Sequence, residues 1–224
     1  MAADFPPART YGRVKSRALK PRQGRLMQTL LPAISVPDGA FDPRQAAPWA
    51  VEVWLEAGFG AGEHLAAQAV RHPQTLFLGA EPFVNGIAAC LAHIDDAGLA
   101  NVRLLHGDVR ALMARLPDAS ISRLYALFPD PWPKTRHKKR RLIEPGFIAE
   151  AARLLAPGAR LVFATDWADY ADWTLQRFLA APQFRWTAER ARDWRSPPPD
   201  HVTTRYEAKR LGDCAPIWLT FERL

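Results

Sequence analysis

Residues 51–62 read Val51-Glu52-Val53-Trp54-Leu55-Glu56-Ala57-Gly58-Phe59-Gly60-Ala61-Gly62, an apolar run that passes abruptly into alternating glycines. The β-branched and aromatic side chains of 51–56 suit a strand. Residues 62–71 then read as a helix. Glycines at three alternate positions let the backbone turn tightly and leave no Cβ between it and a ligand. The same letters also fit a plain tight turn. A strand, a glycine loop and a helix in that order open a βα unit, and the rest of the chain repeats the pattern.

Working outward, strands are expected at 75–78, 102–105, 121–128 and 161–164. Helices are expected at 84–97, 112–116, 146–155 and 168–179. The 84–97 helix carries Ile87, Cys90, Leu91 and Ile94 at i, i+3, i+4, i+7. Pro157 and Gly158 stop the helix that precedes the fifth strand. Late strands at 184–190 and 217–221 have no clear helix between them. Upstream, 25–31 reads as a short helix stopped by Pro32. Alternating strands and helices with short connections predict an α/β fold: a doubly wound, mostly parallel, seven-stranded sheet with helices on both faces. Such sheets bind ligands beyond the carboxyl ends of their strands.

A chain of 224 residues is long enough for one domain with a sizeable core. Hydrophobic content of 48% and charged content of 24% exclude a disordered or fibrous chain. No run of about 18 apolar residues is present to span a membrane. The opening MAADFPPARTYGRVK lacks the apolar stretch of a secretory signal. Two cysteines, Cys90 and Cys214, are too few for a disulfide scaffold. A cytoplasmic protein with reduced thiols is expected.

The formal charge is +7, and it is unevenly placed. Residues 9–25 carry seven basic residues and no acid, and 134–141 (KTRHKKRR) carry six and no acid. Acids outnumber bases in the remainder. Concentrated positive charge on an acidic body is the footprint of a polyanion binder; a solvated, solubilising face is the bland alternative. With Pro6, Pro7, Gly12, Pro21 and Gly24, residues 1–25 are read as a flexible basic arm, which leaves 26–224 as a single domain.

The strand ends carry the chemistry. The first strand gives acid-x-Gly-x-Gly-x-Gly, with Glu56, Gly58, Gly60 and Gly62. A dinucleotide fingerprint would need Gly or Ala at 63, where Glu63 would repel a pyrophosphate. A nicotinamide dehydrogenase is therefore disfavoured, and a cofactor with an amino-acid tail and no phosphate fits better. Beyond the second strand, Glu81 is placed to accept both hydroxyls of a ribose. Beyond the third, Asp108 is placed to take an adenine amino group. Each acid alone is an ordinary surface residue; together they describe a pocket for adenosine with a cationic or zwitterionic tail.

The fourth strand runs into Phe128-Pro129-Asp130-Pro131-Trp132-Pro133-Lys134. Prolines on both sides restrict where the Asp130 carboxylate points. Trp132 offers a face for a base, and the basic run follows as a strip for phosphates. A rigid proline turn over a buried Trp is the alternative. Asp166, after the fifth strand, either caps the helix beginning near 168 or faces the same cleft. Thr204-Arg205-Tyr206-Glu207 precedes the last strand, with Lys209 and Arg210 adding charge.

The segments LEAGFGAG (55–62), GAEPF (79–83), NVRLLHGD (101–108), FPDPWPKTRHKKRR (128–141), ATDW (164–167) and TRYE (204–207) resemble the bacterial tRNA (guanine-N7-)-methyltransferases. The resemblance runs in order from about residue 50 to the C-terminus, and FPDPWPKxRHxKRR is its most specific part. It implies a class I, Rossmann-like methyltransferase domain. It also implies S-adenosyl-L-methionine as cofactor, and tRNA as partner, methylated at guanine 46 of the variable loop. The resemblance assigns Glu56, Glu81, Asp108 and Asp130 to the cofactor, with Asp130 also catalytic. Lys134, Asp166 and Thr204–Glu207 go to the tRNA. No metal or membrane is implied. The family segment is usually T-K-F-E, so Arg205 and Tyr206 depart from it, and an Arg fork is not a Lys point charge.

Two other readings compete. A class I methyltransferase for small molecules or proteins explains the acids but leaves KTRHKKRR and the basic arm unused. A non-catalytic RNA-binding subunit does not need the intact glycine loop with its three acids.

Overall fold

The computed structural model describes residues 18–224; the greater part of the basic arm lies outside the described residues. Among the described residues, seven strands form one sheet: β1 Glu52–Ala57, β2 Thr75–Glu81, β3 Val102–His106, β4 Ile121–Leu127, β5 Leu155–Thr165, β6 Phe184–Trp186 and β7 Ile217–Arg223. Their order is β3-β2-β1-β4-β5-β7-β6. β7 runs antiparallel to both neighbours, and the other pairs are parallel. The strand order reverses between β1 and β4, so a cleft opens there beyond their carboxyl ends.

The helices are α1 Pro21–Ile34, α2 Pro43–Ala46, α3 Glu63–Arg71, α4 Val84–Ala97, α5 Val109–Met113, α6 Pro145–Leu154, α7 Ala168–Leu179, α8 Arg192–Arg195 and α9 Arg205–Ala208. A 3-10 turn covers Thr135–Arg140. Side chains of β1 alternate between two cores, because successive strand residues face opposite ways. Val53 and Leu55 join Leu78, Leu112, Leu124, Ile148 and Phe163 on one side. Trp54 joins Leu65, Phe77, Ile87, Leu91 and Tyr125 on the other. α1, α3 and α4 cover the second face, and α5, α6 and α7 the first. A fully buried Leu or Ile contributes about 1.5–3 kcal/mol, so this double apolar layer fixes the register that brings the strand ends together.

Elements that differ from the sequence expectation include α1, β5 and β6, and the short helices α8 and α9 stand between the late strands where no clear helix is expected. α1 begins at Pro21 and continues past Pro32 to Ile34. Pro21 suits the first helical position, where its missing N–H is not needed. Pro32 sits in the last turn, where it removes one ladder bond. β5 begins at Leu155, six residues before the apolar run, with Pro157 and Gly158 in a bulge between the Ile121 and Arg123 pairs. β6 ends at Trp186. Beyond it, Asp193 Oδ2 accepts from the N–H groups of Glu189 and Arg190 and turns the chain away from the sheet.

Candidate functional site

A cavity of about 780 Å³ opens over the carboxyl ends of β1, β2 and β4, and Glu56, Glu81, Asp108 and Asp130 all line it. The acids expected at separate strand ends therefore share one hollow. Gly58 and Gly60 line it too, with φ of 71° and 57°. Left-handed backbone at alternate positions is what glycine permits without a Cβ penalty. Gly62, at φ 81°, lies beyond the cavity wall as the N-cap of α3.

Glu81 ties this loop to the sheet. Its Oε2 accepts from Gly60 N–H at 2.8 Å and its Oε1 from Phe83 N–H at 2.9 Å. Each carboxylate oxygen keeps a second lone pair, so the ribose role expected for Glu81 remains open to it. Burial pushes its carboxyl above the usual range. The two amides oppose that shift, and the charges of Asp130 and Glu56 add to it. Three carboxylates that feel one another favour a positively charged occupant.

Asp108 caps α5: Oδ1 accepts from Arg110 N–H at 2.9 Å, and Oδ2 pairs with the Arg110 guanidinium at 3.0 Å. This cap starts α5 at Val109 rather than at 112. Glu56, 5% exposed, accepts from the ring of His64.

Asp130 sits in a turn bracketed by two aromatic residues with positive φ, Phe128 at 51° and Trp132 at 43°. Bulky residues in this region carry strain, and such strain concentrates at functional sites. The Asp130 side chain is reached by solvent through the cavity, yet the surrounding protein pushes its carboxyl above the usual range by desolvation. Trp132 lines the cavity, with the Arg140 guanidinium 5.0 Å from its ring centroid.

The basic run is not a uniform strip. Lys134, Arg136 and Lys139 are exposed. Arg141, by contrast, is 1% exposed and stacks between Tyr170 and Trp173, at 4.7 and 4.9 Å from their ring centroids. Its fork reaches Pro131 O at 2.8 Å and Asp169 Oδ2 at 2.5 Å. Lys138 also pairs with Asp169, at 2.7 Å. These two bases build the turn, and the exposed ones are left to face a polyanion.

The C-terminal segment contributes to the cavity wall. Thr204, Arg205 and Tyr206 line it. Thr204 caps α9 by accepting from Glu207 N–H at 3.2 Å. Arg205 pairs with Glu63 at 2.6 Å, just beyond the glycine loop. Tyr206 lies 5.8 Å from Phe128, ring to ring. Glu207 turns away and bonds His201 at 2.7 Å. Lys134, at the entry to the 3-10 turn, stands outside the lining.

Asp166 meets neither expectation. It is 4% exposed, outside the cavity lining, and its Oδ2 accepts from Gly212 N–H at 2.8 Å. The start of α7 is satisfied instead by Asp213, whose carboxylate accepts from Ala168 N–H at 2.9 Å. The fit is tight: a Cβ on Gly212 would stand 1.9 Å from Asp166 O. Asp166 thus pins the C-terminal segment that bears Tyr206.

Sequence reasoning passed over His64, Gln68, Arg110 and Leu211. The signal for the first two was a polar pair at i, i+4 on α3, the spacing that puts two side chains on one helix face. Among the described residues no helix is long and apolar enough to cross a membrane, and no cluster of three or more His, Cys, Asp or Glu could hold a metal ion.

A family model described as a methyltransferase matches residues 50–219. The solved 16S rRNA (adenine(1408)-N(1))-methyltransferase from Catenulisporales acidiphilia aligns with a TM-score of 0.57 at 19% identity, covering 85% of this chain and 97% of that one. At that identity the likeness shows the fold. Sheet order, glycine loop and acid-lined cavity together define a class I methyltransferase. The tRNA (guanine-N(7)-)-methyltransferase of Caulobacter sp. (strain K31) is 58% identical over 219 residues, covering 97% of this chain and 96% of that protein. The protein of the same name from Hyphomonas neptunium is 47% identical over 215 residues, with 95% and 98% covered. The chain belongs to the tRNA (guanine-N(7)-)-methyltransferase family.

Proposed function

We propose that this chain methylates N7 of guanine 46 in the variable loop of tRNA, using S-adenosyl-L-methionine. One observation carries the reading beyond family membership: Asp130 shares the acid-lined cavity with Glu56, Glu81 and Asp108, and the same turn leads directly into the exposed bases Lys134, Arg136 and Lys139.

The cofactor fits the residues present. The cavity is large enough for a nucleoside with an amino-acid tail. Its mutually repelling carboxylates suit a ligand bearing sulfonium and ammonium charges. The loop backbone is held bare: a Cβ on Gly86 would stand 2.4 Å from Gly60 O. Glu81 would hold the ribose hydroxyls, Asp108 the adenine amino group and Glu56 the amino-acid tail. When bound, the cofactor supplies an electrophilic methyl group on sulfur.

Guanine N7 bears an exposed lone pair, so no proton has to leave before it attacks. Taking up that methyl group, with the thioether as leaving group, would leave the purine ring cationic. Asp130 accepts a hydrogen bond from the N1 or amino edge and stabilises that charge as it develops. Trp132 and Tyr206 hold the base in plane, and orientation of this kind supplies about 7–11 kcal/mol of the barrier. Lys134, Arg136 and Lys139 hold phosphates. Arg205 and Thr204 keep the substrate-side segment against the cofactor loop.

Incubation with S-adenosyl-L-methionine labelled in the methyl group, with unmodified tRNA or a protein extract as acceptor, tests the reading. Label in the tRNA supports it. Label in protein, or in neither, contradicts it.

A further inference from the structure

Glu56 is the most deeply placed acid of the cavity, and what lies behind it sets its direction. His64 Nδ1 stands 2.8 Å from Glu56 Oε2, and the ring is 2% exposed. On the ring's other side, Nε2 stands 3.3 Å from the amide nitrogen of Gln68, which is 1% exposed. That same amide nitrogen is 2.6 Å from the main-chain carbonyl of Asp200.

Each proton in this row has one consistent place. A carbonyl oxygen only accepts, so the Gln68 atom facing Asp200 is the NH₂ group and not the amide oxygen. Its second hydrogen then points at His64 Nε2, which must accept. Neutral histidine carries a single N–H, so the proton sits on Nδ1 and is donated to Glu56. The other tautomer would set a ring lone pair against the carboxylate. A neutral donor steadies Glu56 without cancelling its negative charge, and it uses only one of the two oxygens. Stacked on His64 at 5.8 Å, His201 closes the ring off from bulk water.

We propose that His64 and Gln68 are positioning residues that fix Glu56 for the ammonium group of the cofactor's amino-acid tail. Asp200 O sets Gln68, Gln68 sets the His64 tautomer, and His64 sets the carboxylate. The proposal rests on the cofactor reading given above. It adds two residues of α3 to the machinery that selects a ligand with an amino-acid tail over one without.

Two ligands isolate that selection: S-adenosyl-L-homocysteine, and 5′-methylthioadenosine, which keeps the adenosine and thioether but lacks the tail. Calorimetry on the full chain is expected to show His64→Leu losing about tenfold in affinity for S-adenosyl-L-homocysteine. Its affinity for methylthioadenosine stays within about twofold. His64→Asn, whose amide nitrogen takes the place of Nδ1, recovers most of the loss. Gln68→Leu shifts affinity in the same sense. Equal losses for both ligands would make the row a packing device and overturn the proposal. Should His64→Leu not fold, Gln68→Leu carries the same comparison. Glu56→Gln separates the two levels. If it leaves the preference for the tailed ligand intact, the cofactor reading of Glu56 fails. If it abolishes that preference while the His64 and Gln68 variants keep it, the positioning proposal alone fails.

Discussion

Arg141 Nε donates to the main-chain carbonyl of Pro131 at 2.8 Å, so the last base of the run 134–141 holds the residue that follows Asp130. The same guanidinium anchors on Asp169 and stacks on two aromatic rings. Its positive charge is thus spent on the turn and not on nucleic acid. Arg141→Lys keeps the charge but loses the planar fork. It is expected to lower stability by about 1.5–3 kcal/mol, the range for a hydrogen bond to a charged group. Urea unfolding reads this. The slope of tRNA affinity against salt should stay unchanged.

Asp130→Asn separates catalysis from binding. Loss of a charge that opposes the developing purine cation is expected to lower kcat about 10²-fold or more. The affinity for S-adenosyl-L-homocysteine should move much less, which calorimetry checks.

The pH dependence of the same residue follows from its desolvation. The Asp130 carboxyl is raised above the usual range, so on acidification it gains a proton before an ordinary aspartate does. kcat is expected to fall as pH drops through that raised value. The sign for stability is opposite to that of a salt-bridged aspartate. The native state holds this proton more tightly than the unfolded chain does. Stability is therefore lost as pH rises from the unfolded to the folded pKa. Asp130→Asn removes this penalty, and the ligand-free variant should melt above the parent at neutral pH. Scanning calorimetry across pH reads the difference.

Lys134, Arg136 and Lys139 are the exposed bases of the run 134–141. Neutralising one phosphate contributes about 0.7–0.9 to the slope of log K against log salt. Changing all three to Ala is expected to reduce that slope by about 2–3, with affinity for S-adenosyl-L-homocysteine preserved. An unchanged slope places the phosphate contacts elsewhere.

Gly86→Ala inverts the usual helix rule. Ala is favoured over Gly inside a helix by about 1 kcal/mol. Here the added Cβ would stand 2.4 Å from Gly60 O, backbone that cannot swing aside as a flexible side chain does. The variant is expected to lose about tenfold or more in cofactor affinity, because the glycine loop must shift. Calorimetry with S-adenosyl-L-homocysteine measures it.

Much of this was legible in the sequence because it is local. Apolar runs of four to eight residues marked the central strands, and the acids just beyond them fell at the one edge where a doubly wound sheet binds. Unread features depend on contacts distant in sequence. Arg141 has the same charge as its neighbours, and only Tyr170 and Trp173 packing against it make it structural. Asp166 read as either a helix cap or a cleft residue because its actual partner, Gly212, is 46 residues away. The direction of the His64 hydrogen bond depends on the Asp200 carbonyl, 132 residues beyond Gln68. α1 ran through Pro32 because one lost bond in a last turn does not outweigh the packing of α1 on α4.

The reaction itself is tested most directly by mapping the modified nucleotide. Unmodified tRNA is treated with the protein and S-adenosyl-L-methionine, then reduced and cleaved with aniline, which cuts the chain at N7-methylguanosine. The account predicts a single cut, at guanine 46 of the variable loop. Methyl incorporation without that cut would place the transferred group on another atom and contradict it.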